Sequence, residues 1–236
     1  MSDDLREFLA KARSSASAAR VVSLDELRAG HEAHPEEWGL PALRGRLVEI
    51  SARGATATLT TAVGLVLEAQ AASEPVAWIT THGSFYPPDV ADSGVDLAAL
   101  VVVRVPSTPA STRMKVVREA NDAAVVAARS AERLLRSGAF GLIVLDLVGS
   151  APNAGEISMA HQGRLVTLAQ AHDAAIVCLT DKTRETASIG SLVSLRVEAL
   201  RSRAKDGFEL TMRAIKDKRR GPSWTRSIKV RGPAGM

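Results

Sequence analysis

The chain has 236 residues and a formal net charge of +4 at pH 7; 46% of its residues are hydrophobic but only 3% are aromatic. This length fits one large domain with a small appendage, whose core Ala, Val and Leu must fill. No apolar run approaches the ~20 residues of a membrane span, and the acidic start, Met1–Asp4, has no apolar stretch behind it. The single cysteine, Cys178, cannot form an internal disulfide, so we expect a cytoplasmic protein without membrane contact.

Residues 1–43 read as an N-terminal helix and a linker. Residues 5–19 have the periodicity of a short amphipathic helix, with Leu5, Phe8 and Leu9 on one side. So short a helix has too little apolar surface to stand alone. We therefore expect these three side chains to dock on the core or on another subunit, which makes self-association a prediction.

Residues 44–231 form the main domain, and residues 232–236 are a short tail. The domain alternates short apolar strands with helices, predicted as strand 47–50, helix 60–72, strand 76–80, helix 89–93, strand 100–105, helix 112–137, strand 142–148, helix 157–172 and strand 175–179. Strands 192–199, 208–215 and 226–230 then follow without helices between them. This pattern predicts an α/β fold with a mostly parallel central sheet flanked by helices and antiparallel strands at the C-terminal edge.

The junction after the first strand has the position of a phosphate-binding loop but not its chemistry. A working loop reads G-x-x-x-x-G-K-[ST] between a strand and a helix. Here Ala52 and Ala57 stand for the two glycines, Thr58 for the lysine and Leu59 for the serine or threonine. Thr58 has no ammonium for the β- and γ-phosphates, and Leu59 has no hydroxyl for Mg²⁺. We therefore expect no nucleotide cofactor and no catalysis.

The order of these segments resembles the core of the RecA family of ATPases over roughly residues 44–229. The similar segments are the strand before the P-loop at 46–50, the second strand at 78–82, the Gly-Val-Asp segment at 94–97, the Walker B strand at 137–146 and the Lys-x-Lys strand at 215–218. The chain departs from the family at His82, which stands for the catalytic Glu, and at Thr180-Asp181, which stands for Asn-Gln. The segments that match the two DNA-binding loops, 149–156 and 182–191, are short. The resemblance therefore implies a RecA-like core without strand exchange.

Within that superfamily the chain resembles the ImuA proteins, relatives of the cell-division inhibitor SulA. The similar segments are Tyr86-Pro87-Pro88, Gly94-Val95-Asp96, residues 100–104 and residues 136–139. ImuA proteins act with ImuB, a catalytically dead Y-family polymerase homologue, and with an error-prone DnaE-type polymerase to copy past DNA damage. The resemblance implies a non-catalytic adaptor with ImuB-type and RecA partners in damage-induced mutagenesis. The alternatives are a divergent DNA-dependent ATPase of the RecA type and a SulA-like inhibitor of cell division.

The polar residues of the core segments offer little chemistry. Asp146 is Walker B-like, but a Walker B acid needs Mg²⁺ on a bound nucleotide, so capping or pairing at the strand end is the favoured role. His82 occupies the position of the catalytic Glu and titrates near neutrality, but it could act as a general base only if a phosphate were bound nearby. His161 and His172 lie on one side of a predicted helix without a third ligand, so no metal site is predicted.

The basic residues are concentrated at the C-terminus. From Arg196 onward the chain has twelve basic and four acidic residues, a net charge of +8 against +4 for the whole. This asymmetry predicts an anionic partner, or else a solvated strand edge that resists aggregation. The candidate partner- or DNA-binding residues are Lys216, Lys218, Arg219, Arg220, Trp224, Arg226 and Lys229.

Three of these candidates carry a structural expectation. Lys216 and Lys218 alternate on a predicted strand and should project from one face. Trp224 either stacks on a base or anchors a protein contact, or it covers the sheet edge. We expect an acidic protein surface as the main partner of this segment, with weak single-stranded DNA binding as a secondary contact.

Overall fold

The computed structural model describes residues 38–54, 56–81, 85–105, 113–148, 157–205, 207–222 and 224–230, with backbone alone for 113–122. Residues 38–236 cluster as one compact unit. The predicted N-terminal helix with Leu5, Phe8 and Leu9 lies outside the described residues, as do His82 and the segment 149–156. No helix of the described ranges is both long and apolar enough to span a bilayer.

The described residues alternate strands and helices much as the sequence predicts. In chain order the elements are α1 (Leu40–Leu43), β1 (Arg46–Ser51), α2 (Thr58–Ala71), β2 (Val76–Thr80), α3 (Pro87–Asp92), a 3-10 turn (Leu97–Ala99), β3 (Leu100–Arg104), α4 (Arg113–Arg136), β4 (Leu142–Asp146), α5 (Met159–Ala171), β5 (Ala175–Thr180), β6 (Leu195–Ala204), β7 (Gly207–Asp217) and β8 (Thr225–Val230). The short α1 is the one helix among these that the sequence pattern does not predict.

The strands form a single mixed sheet in the order β3-β2-β4-β5-β1-β6-β7-β8. From β3 to β6 all neighbours are parallel, whereas β6 with β7 and β7 with β8 are antiparallel. The predicted α/β fold, with antiparallel strands at the C-terminal edge, is confirmed. Strand β1 lies inside the sheet and all of its residues are buried, because helices cover both faces.

Two apolar clusters fill the spaces between the sheet and its helices. On one face α1, α2 and α3 pack over a cluster that includes Trp78 and Phe85, whose ring centroids lie 5.4 Å apart. On the other face α4 and α5 pack through small residues such as Ala124, Ala127 and Ala131. Aliphatic side chains and alanines dominate both clusters, as the low aromatic content predicts.

Strand β1 contains a buried acidic residue between two aliphatic residues. Glu49 is 0% exposed. Its carboxylate accepts hydrogen bonds from Thr180 Oγ1 at 2.9 Å, Ser188 Oγ at 2.5 Å and Ile189 N at 3.1 Å. Arg196 Nε of the neighbouring strand β6 lies 3.7 Å from Glu49 Oε2, which completes a buried ion pair.

The arginine of this pair fastens the segment between β5 and β6. Arg196 donates to Ser51 Oγ at 3.2 Å, to Thr183 O at 2.8 Å and to Thr186 O. Arg196, the first residue of the basic C-terminal segment, therefore adds nothing to the solvent-facing charge, because only 3% of it is exposed. Glu49 and Arg196 together hold residues 183–189 against the end of the sheet.

We predict that Glu49→Ala lowers the free energy of unfolding by about 3–5 kcal/mol, because it leaves the Arg196 charge buried without its partner. Amide hydrogen exchange of residues 183–189 should accelerate in the same variant, since the hydrogen bonds from Ser188 and Ile189 to Glu49 are lost. The matched control is Glu198→Ala, whose carboxylate lies 4.0 Å from the half-exposed Arg213, so that its removal leaves no buried charge without a partner. Equal destabilisation by the two substitutions would contradict the assignment.

Candidate functional site

The degenerate phosphate loop lies where a P-loop belongs, between the carboxyl end of β1 and the start of α2. Ala52 and Ala57 are buried, each 1% exposed. The loop is fastened to β6, because Ala57 N donates to Ala199 O at 2.9 Å and Thr56 forms a bridge with Leu200. The sequence-predicted loop is thus a fixed connection between two strands and a helix.

The two positions that decide phosphate chemistry have side chains unsuited to it. Thr58, at the lysine position, is 3% exposed, and its Oγ1 lies 3.5 Å from Thr56 Oγ1. Leu59, at the hydroxyl position, is 41% exposed and presents methyl groups to solvent. Ala57 offers no side-chain cap to α2, so the first N–H groups retain the general attraction of a helix N-terminus for anions. Thr58 adds no ammonium to them and Leu59 adds no hydroxyl.

The hollow beside this loop is apolar. It has a volume of about 260 Å³ and is lined by Leu59, Trp78, Phe85 and Tyr86 among others. Among the described residues that line it, the one charged residue is Asp89, which repels phosphate. Ligands of open α/β sheets bind outside the carboxyl ends of the strands. The described side chains that line the hollow at this end include no positive charge that could pair with a phosphate.

Asp146 is placed like a Walker B acid but has a local partner. It ends β4, opposite Thr80 of β2 and Leu179 of β5. Strand alternation puts its side chain on the face that α2 covers, and it is 0% exposed. Its Oδ1 accepts a hydrogen bond from Val148 N at 3.2 Å, which is the capping role that the sequence favours.

The main cluster of predicted binding residues, Lys216–Arg220, forms the end of β7 and the turn that follows; we call it the basic turn. Lys216 pairs with Arg196 at the start of β6, so the basic turn lies at the amino end of the parallel strands. The degenerate loop is bonded to β6 about four residues farther along, roughly 13 Å away at the rise of a strand. The two sequence-predicted sites therefore lie toward opposite ends of the strands: the basic turn at the amino ends and the degenerate loop at the carboxyl ends.

Lys216 and Lys218 converge on one point, which confirms that they share a face. Their Nζ atoms lie 3.4 Å and 3.0 Å from the carbonyl oxygen of Ser191. Burial lowers the pKa of Lys216, and the positive charges of Lys218 and Arg196 lower it further, against the opposing charge of Glu49. An anionic group bound here would relieve the repulsion between the two ammonium groups.

A buried acid fixes the basic turn. Asp217 Oδ1 accepts from Arg46 NH2 at 2.6 Å, and the same oxygen accepts from the backbone N–H groups of Arg219 at 3.0 Å and Arg220 at 3.4 Å. Asp217 Oδ2 accepts from Trp224 Nε1 at 3.0 Å. Because the carboxylate faces inward, it does not neutralise the outer side of the turn, where Lys218, Arg219 and Arg220 are exposed.

Trp224 covers the sheet edge, the second of its two predicted roles. It packs against the core cluster, and its ring centroid lies 6.1 Å from that of Trp38. The guanidinium of Arg220 lies 5.8 Å from the centroid of the Trp224 ring. Arg226 extends the same contact, since its NH1 donates to Trp38 O at 2.9 Å. This arrangement orders the turn and its cations.

Not every predicted binding residue joins this cluster. Arg219 reaches back to Arg44 O at 3.1 Å and so links the turn to the entry of β1. Lys229 lies toward the far end of β8, opposite Glu209, away from the basic turn. The sequence analysis assigns no role to the buried Arg46, Glu49 and Arg196, which position the site. For Glu49 and Arg196 the available signal is a charged residue between two aliphatic residues of a strand.

The histidines form no metal site among the described residues, where no three His, Cys, Asp or Glu side chains converge. His161 is 8% exposed, and its Nδ1 lies 2.5 Å from Glu132 Oε1. His172 follows the last residue of α5 as its C-cap. His161 therefore serves the packing of α5 against α4.

Comparison with known proteins adds no family to this geometry. No protein-family model matches the chain, and no curated protein matches it. Its relation to the RecA and ImuA families stays a prediction from the order of its motifs.

We predict that Asp217→Asn lowers the free energy of unfolding by about 3–5 kcal/mol at pH 7, because Arg46 loses its buried counter-charge. Burial alone would raise the pKa of Asp217, but hydrogen bonds from Arg46, Trp224 and the Arg219 backbone lower it below its usual value. The stabilisation is therefore complete above the unfolded carboxyl pKa of about 3.9 and is lost as the pH falls through the folded pKa.

Urea unfolding at several pH values measures this dependence, and the difference between wild type and Asp217→Asn should shrink below about pH 4. The control is Asp181→Asn, because Asp181 lies in an exposed pair with Arg53 at 3.5 Å. A difference that stays constant at every pH would contradict the assignment.

Proposed function

We propose that this chain is a non-catalytic RecA-like adaptor of the bacterial translesion-synthesis machinery. In this role it joins an ImuB-type inactive polymerase homologue, and through it an error-prone DnaE-type polymerase, in the cytoplasm after DNA damage. The basic turn is the partner-binding surface. RecA and single-stranded DNA are secondary partners of the same surface.

The observation that carries the non-catalytic part is the chemistry of the degenerate loop. Buried Thr58 and exposed Leu59 occupy the two positions where a P-loop supplies its ammonium and its Mg²⁺ ligand. The adjoining hollow has an apolar lining with one acid, Asp89. These features favour an adaptor over the alternative of a DNA-dependent ATPase.

The segment between β5 and β6 supports the same choice. By the RecA resemblance, residues 182–191 match a DNA-binding loop. Here Glu49 and Arg196 clamp this segment through buried hydrogen bonds, and Leu192 N donates to Gln162 Oε1 at 3.0 Å. A segment fastened to the core in this way is poorly suited to wrap a DNA strand, which supports partner binding rather than recombination.

The basic turn supports protein recognition. Asp217 and Trp224 hold the backbone of the turn before any partner binds, so binding costs little ordering of the chain. Three exposed cations next to a partly buried tryptophan match the mixed aromatic and arginine composition of interface centres. An acidic surface on the partner is the natural complement.

We predict no measurable ATP hydrolysis and no binding at millimolar ATP with Mg²⁺, because the side chains at positions 58 and 59 cannot contact the phosphates or the ion. Isothermal titration calorimetry and a phosphate-release assay check this. Micromolar affinity for ATP would favour the ATPase alternative and would give Asp146 and His82 a role.

We predict that reversing the charges of Lys218, Arg219 and Arg220 to Glu weakens binding to the ImuB-type partner by at least about tenfold, through the loss of cations at the interface centre. Binding to RecA and to single-stranded DNA is measured separately, and any DNA affinity should fall steeply with salt. Surface plasmon resonance with purified partners provides the measurement.

The matched control reverses Arg201, Arg203 and Lys205, three exposed cations at the tip of the β6–β7 hairpin, and changes the net charge by the same amount. Circular dichroism and a thermal melt establish that both variants fold. If the basic-turn variant keeps wild-type affinity for all three partners while folded, the surface is a solvated edge and the proposal fails.

A further inference from the structure

A second basic surface lies on the helical layer, away from the predicted C-terminal candidates. Arg129, Arg133 and Arg136 follow one another at spacings of four and three residues, so they lie along one side of α4. All three are exposed. No hydrogen bond or ion pair joins their guanidinium groups to another residue within the described ranges. We call these three residues the arginine stripe.

The acid of this layer faces inward. Between residues 123 and 136 the one acid is Glu132, which is 8% exposed. Its carboxylate lies 2.5 Å from His161 Nδ1 and accepts from Arg164 Nε at 3.0 Å. Burial alone would raise the pKa of Glu132, but the hydrogen bonds from His161 and Arg164 lower it. Its negative charge is therefore directed at His161 and Arg164 of α5 and not at solvent. Helix α5 itself contains no acidic residue.

An apolar groove of about 450 Å³ runs beside the stripe, between α4 and α5. Met159, which is 67% exposed, and Leu168 form its apolar part. Gly163 adds no side chain to the groove, and Arg136 and Arg164 flank it. None of the described residues that line the groove is aromatic, so they offer no platform on which a nucleic-acid base would stack.

Helix stability alone does not account for this surface. Arg133 and Arg136 lie in the last turn of α4, where cations offset the helix dipole. The dipole explains neither Arg129, which lies farther from the end, nor the exposed thioether of Met159 at the start of α5. A large exposed apolar side chain beside the arginine stripe instead has the composition of an interface.

We propose that the groove between α4 and α5 is a docking site for an acidic amphipathic helix of a partner protein. The apolar residues of that helix would lie on Met159 and Leu168, and its carboxylates would pair with Arg133, Arg136 and Arg164. Such a helix presents apolar anchors at positions i, i+3, i+4 and i+7, which match a groove between two helices. The proposal is independent of the translesion assignment and of the basic turn.

The test uses the full-length chain and a fluorescein-labelled acidic peptide of about 18 residues, with Leu at helical spacing and Glu between. Fluorescence anisotropy measures its affinity. Arg133→Glu with Arg136→Glu should weaken binding by about tenfold, since attraction becomes repulsion. Met159→Ser should weaken it by about fivefold, because apolar contact is lost; this exposed position keeps the test valid if the double variant folds poorly.

The controls separate this mode from plain charge attraction. A peptide of equal composition with its Leu positions scrambled should bind at least about fivefold more weakly than the amphipathic one. A Lys-for-Glu peptide should prefer the Arg133→Glu, Arg136→Glu variant over the wild type. The variant reversed at Arg201, Arg203 and Lys205 should bind like the wild type.

Equal affinity for the ordered and scrambled peptides would overturn the proposal, as would an unchanged affinity of the Met159→Ser variant. A poly-dT oligonucleotide that displaces the peptide, and whose own binding is lost in the Arg133→Glu, Arg136→Glu variant, would assign the surface to nucleic acid instead. None of these outcomes affects the test of the basic turn with the ImuB-type partner, so each proposal can be rejected without rejecting the other.

Discussion

The two charges buried in strand β1 dictate how the C-terminal half of the sheet is arranged. Arg46 and Glu49 lie three residues apart on a strand and therefore point to opposite faces. Removing each charge from water costs several kcal/mol unless a partner of opposite charge meets it. Both partners come from the C-terminal strands: Asp217 at the end of β7 and Arg196 at the start of β6. These pairs fix the basic turn on one face and the segment before β6 on the other.

An inward-facing acid within a basic segment occurs twice. Asp217 lies in a run of lysines and arginines, yet its carboxylate points to Arg46 and Trp224. Glu132 lies between the arginines of α4, yet its carboxylate points to α5. In both places the surface is more basic than a residue count suggests, because the acid is neutralised inside the protein. The two surfaces differ in their apolar part, a tryptophan fixed to the core in one and an open groove in the other.

The sequence predicts those features that depend on local periodicity. Strand β2 begins and ends at the predicted residues, 76 and 80, because a short apolar run between turn residues has one local interpretation. Partnerships across the sheet have no local signal. The sequence does not show that Glu49 of one strand pairs with Arg196 of another, because pairing depends on strand order and register. The groove between α4 and α5 depends in the same way on how two helices pack.

The positions of the charges bear on where recognition takes place. An open α/β sheet binds ligands outside the carboxyl ends of its strands, where helix N-termini attract phosphate. At that edge Thr58 is buried, Leu59 is exposed and the adjoining hollow is apolar. Exposed cations also lie at the amino end of the strands, in the basic turn, and on the outer side of α4. Cations whose backbone is already ordered attract an anionic partner at little cost in chain ordering, and Asp217 orders the basic turn in this way through the N–H groups of Arg219 and Arg220.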